Sequence, residues 1–273
     1  FILLGYFFAQ KWRIVIGEER DFMALTVVKN EKQDVIQLKV VNGTGWFTKN
    51  GLWIPNPQSE ERWVDPIRDK ADVERCIEYL KLKTQTAYKK NEKFTSKRNL
   101  MLFIVGINIG LRVSDLSALK WSNFFEKDME TFVDARNKKE KKTGKKKLVI
   151  PNESIRNVIT WYLGETGIRP EYDAPVFVSY NTGKAIGRDP VENMMKDLQY
   201  HLKLKGSYNT HSLRKTNAYQ KYMMLVEAGD PLALPKIQHS LNHRNTSETL
   251  RYLGLTRDDD VKDQFALDDW WDM

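Results

Sequence analysis

The stretch from Thr210 to Gly254 reads THSLRKTNAYQKYMM and then, after a short gap, IQHSLNHRNTSETLRYLG. It carries a His-x-x-Arg (His211, Arg214), a second histidine (His243) and, nine positions later, Tyr252 on a short amphipathic segment. A guanidinium offers a planar fork to the non-bridging oxygens of a phosphate. An imidazole can take or give a proton near neutral pH. A phenol can act as a covalent nucleophile. Upstream, INIGLRVSDLSALKW adds Arg112 and KKEKKTGKKKLVIP adds Lys142. Brought together, this set can attack a phosphodiester.

Each residue needs an element to hold it. A helix is expected to start near Asp69, with Asp72 and Glu74 in its first turn, and to run through CIEYLKLK. Another begins near Thr95 or Ser96 and carries the ten-residue run LMLFIVGINI to Gly110, which reads as a buried core helix. Arg112 follows, ahead of VSDLSALKW, which Ser114 could cap. Read alone, Arg112 is an ion-pair partner for Asp115. TFVDARN and KKLVIP read as the strands of a β-hairpin with Thr143-Gly144 at its tip. Pro151-Asn152 opens a helix through SIRNVITWYL, APVFVS is a short strand or loop, and Asp189-Pro190 starts VENMMKDLQYHLKLK. Thr210 is placed to cap the helix presenting His211 and Arg214, whose first backbone N–H groups also attract phosphate. Asn245 or Thr246 caps SETLRYL, and Leu241, Leu250 and Leu253 mark a core-facing side.

In this order and near these spacings, Arg112, Lys142, His211, Arg214, His243 and Tyr252 resemble the active site of the tyrosine recombinases, the family of phage integrases. The resemblance runs from about Trp63 to about Thr256. It implies a site-specific DNA recombinase with an α+β, mainly α-helical catalytic fold and a small antiparallel sheet. Arg112 and Arg214 would clamp the scissile phosphate, and Tyr252 would attack it to give a 3′-phosphotyrosine. Lys142 would protonate the departing 5′-oxygen; Lys141 is its rival, because a one-residue shift of register exchanges the two. His211 would assist proton transfer at the tyrosine and His243 would donate to the phosphate. The chemistry needs no metal and no cofactor, and paired cleavage and ligation would pass through a Holliday junction. One departure stands at Asn242, where the family generally has Gly before the second histidine. Asn tolerates positive φ better than other residues with a side chain, so the turn can survive.

Residues 1–60 read as a short β-rich segment, either an accessory module of unknown role or an arm-type DNA-binding module. WRIVIG, FMALTVVK and DVIQLKVV read as strands, and GWFTKNGLWIP as a hairpin turning at Asn50-Gly51. No catalytic cluster lies there, and nothing in it reads as the helical core-binding domain that usually precedes a recombinase catalytic domain. PNPQSEE is a linker, residues 61–257 the catalytic domain, and residues 258–273 an acidic, aromatic tail. The chain begins without Met, so it reads as a fragment or a processed product.

Composition agrees with a polyanionic partner. Lys and Arg number 44 against 36 Asp and Glu, a net charge of +8, in 273 residues of 41% hydrophobic content. Seven lysines lie between Lys138 and Lys147, and beyond Lys142 the other six (Lys138, Lys139, Lys141, Lys145, Lys146, Lys147) are expected to make non-specific phosphate contacts. Five aspartates between Asp258 and Asp268 would repel DNA. The tail, with Phe265, Leu267, Trp270 and Trp271, is therefore expected to face protein and to pass between neighbours of a homotetramer on DNA. The single Cys76 excludes an intrachain disulfide and a cysteine metal site and fits a reducing, cytoplasmic setting in a bacterial host. FILLGYFFA is too short to span a bilayer. His239 and His243 have zinc-helix spacing, but Ser240 stands where a metalloprotease needs Glu, and no third ligand offers itself. Two other readings remain: a type IB topoisomerase using the same tyrosine chemistry, and a DNA-binding regulator of this fold without catalysis.

Overall fold

The computed structural model describes residues 64–255 in full and, ahead of them, the backbone of five strands between Val15 and Pro55. The Asn50-Gly51 turn, most of PNPQSEE and the 258–273 tail lie outside the described residues. The chain divides into two units, residues 1–63 and 64–273. In the first, β1 (Val15–Glu18), β2 (Asp21–Asn30) and β3 (Gln33–Asn42) form an antiparallel sheet in that order, with Val15 opposite Ala24 and Leu25 opposite Val40. β4 (Gly45–Phe47) pairs with β5 (Trp53–Pro55), Trp46 opposite Ile54.

The second unit is helical. α1 (Lys70–Thr86) starts where expected, its Asp69 side chain accepting from Ala71 N. α2 (Lys90–Ile109) starts earlier than Thr95 or Ser96, because Lys89 and Glu92 already close a capping arrangement one turn upstream. It is the centre of the core: Leu100, Met101, Leu102, Phe103 and Val105 are all at most 3% exposed, as expected of a helix that is apolar on every side. Truncating Phe103 to Ala would cost about 3–5 kcal/mol.

α2 ends at Gly110, whose φ of 66° turns the chain toward Arg112. A side chain there would place a Cβ 2.3 Å from Asn217 Oδ1. α3 (Val113–Leu116) follows with Arg112 at its N-cap position; Ser114 lies inside the helix and is exposed, so it caps nothing. A 3-10 turn at Trp121–Asn123 leads to β6 (Arg136–Lys139) and β7 (Lys146–Val149), which pair antiparallel with Arg136 opposite Val149.

α4 (Glu153–Thr166) is capped by Asn152, which accepts from Ile155 N. APVFVS is mostly loop, touching the rest through isolated bridges at Lys120–Pro175 and Val178–Ala185. α5 (Arg188–Leu202) starts one residue before Asp189, after Gly187. α6 (Ser212–Glu227) is not capped by Thr210, whose buried hydroxyl finds no partner among the described residues; His211 N instead donates to Asn209 Oδ1. α7 (Ala233–Leu241) and α8 (Thr246–Leu253) complete the unit, and Asn245 caps α8 by accepting from Glu248 N.

The main core joins α1, α2, α4 and α5. A smaller apolar cluster of Ala218, Ile237, Leu241 and Leu253 binds α7 and α8 to α6, with Tyr252 packed at its side. Gly106 lets α6 come close to α2: a Cβ there would sit 2.9 Å from Leu213 Cδ1. Through that contact α6 and the end of α2 share one rigid frame.

Candidate active site

The C-terminus of α2 and the start of α6 build the cationic centre together. Asn217 Nδ2 donates to the carbonyls of Ile107 and Asn108 at 2.7 and 2.8 Å, satisfying α2's open end. Arg214, one turn earlier on α6, donates from Nη1 to Gly110 O at 3.1 Å. Arg112 stands two residues past that glycine, so the two guanidiniums are held from one joint.

Both converge on a carboxylate that sequence reasoning passed over. Arg112 Nη1 lies 2.6 Å from Glu140 Oε2, and Arg214 Nη1 lies 3.1 Å from Glu140 Oε1. Thr143 Oγ1 also donates to Oε2 at 2.8 Å. The Glu140 and Arg214 side chains are 2% and 4% exposed, so these pairs are shielded from water. Burial would raise the Glu140 pKa, but the Thr143 hydroxyl and the two arginines outweigh it and hold the group below the usual glutamate value. Asp115 does not pair with Arg112; its Oδ1 accepts from Lys141 N at 2.8 Å and ties down the start of the hairpin loop.

α7, α8 and the turn between them place the remaining pair. Asn242 closes α7 in the left-handed region with φ 60°, the conformation its position requires in place of glycine. His243 then sits with Nδ1 3.1 Å from Thr249 Oγ1 and packs edge-on to Tyr252, ring centroids 5.1 Å apart. Burial, opposed by Glu248 and aided by Arg214 and Arg112, keeps the His243 pKa below the ordinary histidine value. The Tyr252 ring is half-buried, and its Oη is fully enclosed beside the Arg214 guanidinium. Burial raises its pKa, while the charges of Arg214 and Arg112 oppose the rise. Lys215 Nζ lies 5.1 Å from the centre of the same ring.

His211 lies at the mouth of α6. Desolvation, followed by Arg188, Arg214, Lys215 and Arg112, lowers its pKa; the residue keeps an open surface, so the four cations are the firmer cause. Thus Arg112, His211, Arg214, His243 and Tyr252 all surround the ends of α2 and α6. Lys142 is at the exposed hairpin tip, as are Lys139, Lys141, Lys145 and Lys146 along its length. Lys145 Nζ reaches Asn242 Oδ1 at 3.0 Å. Two hairpin lysines point inward: Lys138 to Ala118 O at 2.7 Å and Lys147 to Gly110 O at 2.9 Å. Burial, reinforced by Arg214 and Lys221, brings the Lys147 pKa down to about 7. The alternation of β7 is the signal that could have found it, since Lys147 shares a face with buried Val149. Among the described residues no group of three or more His, Cys, Asp or Glu could hold a metal, and no helix is long and apolar enough to cross a membrane.

The chain resembles solved recombinases in fold. XerH site-specific recombinase, in a post-cleavage complex with a palindromic difH substrate, superposes with a TM-score of 0.54 at 14% identity, covering 82% of this chain and 61% of that one. XerA recombinase gives 0.50 at 21% identity, covering 74% and 65%. The chain therefore spans less than two thirds of either. A probable integrase/recombinase of Bacillus subtilis (strain 168), YoeC, is 29% identical over 195 residues, 71% of this chain and 92% of that protein. The model of the phage integrase family matches residues 72–258, more than half of the chain and every residue of the site just built. The chain belongs to the phage integrase family, the tyrosine-type site-specific recombinases.

Proposed function

We propose that this chain cleaves and rejoins DNA at specific recombination sites through a 3′-phosphotyrosine on Tyr252. The observation that carries the reading is the convergence of Arg112 and Arg214 on the two oxygens of one anion, 2.6 and 3.1 Å away. A phosphodiester's two non-bridging oxygens ask for the same pair of forks, and in a water-poor site those charges stabilise the extra negative charge of the pentacoordinate phosphorus. Tyr252 attacks phosphorus, its proton passing to His211 or to water beside it. His243, neutral at pH 7 by its lowered pKa, donates a hydrogen bond to a phosphate oxygen. Lys142, carried on the hairpin, protonates the 5′-oxygen as it leaves. The phosphotyrosine keeps the energy of the bond, so a 5′-hydroxyl from a partner strand reverses the step. No step consumes a cofactor, so cleavage is expected to continue in excess chelator.

The partner is double-stranded DNA in a bacterial cytoplasm, with the lysine hairpin on its backbone. Two pairs of subunits, joined by exchange of the 258–273 tail, would form the tetramer that carries a Holliday junction. A type IB topoisomerase would use the same residues without strand exchange. A regulator that only binds DNA has no need of Lys142 and Tyr252 together. The test pairs two assays on duplex sites selected by the protein from a random library. Recombinant products from two-site plasmids support the proposal; relaxation of supercoils without products supports the topoisomerase.

A further inference from the structure

We propose that Glu140 is an internal substitute for the scissile phosphate: in the DNA-free chain its carboxylate fills the Arg112–Arg214 clamp, and a DNA phosphate binds by displacing it. The proposal rests on the reading of those arginines as phosphate ligands, and it adds how their site is kept closed.

The geometry is that of a bound ligand. Each Glu140 oxygen takes one guanidinium, at 2.6 and 3.1 Å, and the carboxylate is 2% exposed. No phosphate can reach both arginines while it stays, for want of space and because two anions would face each other. The carboxylate is ionised at neutral pH, since the Thr143 hydroxyl and both arginines outweigh the effect of burial on it. The enclosed Tyr252 Oη is a second mark of a closed site, because a nucleophile must reach phosphorus.

The plug also sits in the loop that joins the two strands of the hairpin. Glu140 follows directly on β6, a strand of four residues, and lies between Lys139 and Lys141, both exposed. Polar contacts hold the hairpin near the site, such as Lys141 N to Asp115 Oδ1 and Lys145 Nζ to Asn242 Oδ1. Phosphates of a docking duplex would draw the exposed lysines outward and so supply the force that lifts the carboxylate between them. The hairpin would then exchange an internal anion for an external one.

A fixed role, in which Glu140 only orients the arginines throughout, predicts the opposite effect of neutralising it. The test measures binding of inorganic phosphate to the full chain by calorimetry at constant ionic strength, so cleavage is not involved. Glu140→Gln should bind phosphate at least ~10-fold more tightly than the wild type, as the competing charge is removed from both arginine pairs. Adding Arg112→Ala should abolish the gain, while weak binding to surface lysines is common to all variants and cancels. Glu140→Asp, too short to span both arginines, should gain less and keeps the test open if the Gln variant does not fold. Equal or weaker phosphate binding by the folded variants overturns the plug. Cleavage of a selected DNA site by the wild type is scored separately: the gain of phosphate binding with no wild-type cleavage would leave the plug standing and reject the recombinase reading, and cleavage without the gain would do the reverse.

Discussion

His243 stands edge-on to Tyr252, with ring centroids 5.1 Å apart and planes at 70°. The relation is set over a short distance in the chain. Asn242 turns out of α7 in the left-handed region, Asn245 caps α8, and two turns of that helix bring Tyr252 back beside His243. The smaller apolar cluster then locks α8 through Leu253. Anything that alters the turn moves the histidine against the phenol.

Asn242 is therefore a sensitive position. Asn242→Gly should be tolerated, because glycine adopts positive φ without strain, and should keep activity within a few-fold. Asn242→Val should lower stability by about 1–2 kcal/mol in denaturant titrations, because a β-branched residue resists this conformation. It should also lose cleavage out of proportion to stability. Equal activity of the two variants would show that the turn does not position His243.

The role assigned to Lys142 has a chemical signature. A donor to the leaving 5′-oxygen becomes unnecessary when that oxygen is replaced by sulfur, which leaves without protonation. Lys142→Ala should cleave an ordinary duplex ~10²-fold or more slowly and recover on the 5′-phosphorothiolate duplex. If Lys141→Ala or Lys147→Met shows that rescue instead, the donor is that lysine.

The buried amine of Lys147 makes stability depend on pH. Its folded pKa is depressed from the usual lysine value to about 7. Its contribution is then fully present above the unfolded value and is lost as pH falls toward 7, because the unfolded chain takes up a proton that the folded chain refuses. Lys147→Met should flatten the slope of stability against pH between about 7 and 10 in urea titrations. An unchanged slope would place the ammonium in water.

Much of this fold is legible locally. Asp69, Asn152 and Asn245 cap the helices they precede, because an Asx side chain reaches its own next turn. The LMLFIVGINI run and Gly110 foretell the core helix and its end, and the hairpin tip at Thr143-Gly144 follows from Gly144 with φ 67°. Ser114 and Thr210 mislead, since a capping residue type does not say whether its backbone lies just outside a helix. Glu140 could not be found from the sequence. Inside a lysine run it reads as one acid on a solvated basic loop. Its burial is fixed by Arg112 and Arg214, 28 and 74 residues away. The clamp residues were found by resemblance, but the anion between them is a tertiary fact.

The proposed exchange of the tail is open to deletion. Truncation after Arg257 should preserve binding to a single DNA site while weakening assembly on two sites in gel-shift experiments. It should also disturb the balance of cleavage between strands. Unchanged synapsis and recombination would leave the tail without that role.

A covalent bond between Tyr252 and DNA can be trapped directly. A nicked duplex carrying a selected site loses its short 5′-hydroxyl strand after cleavage and cannot be resealed. A protein–DNA adduct stable to detergent should form, with the nucleotide mapped by peptide mass spectrometry to Tyr252. Tyr252→Phe should form none while binding DNA and folding normally. An adduct that persists in Tyr252→Phe, or that maps to another residue, contradicts the account.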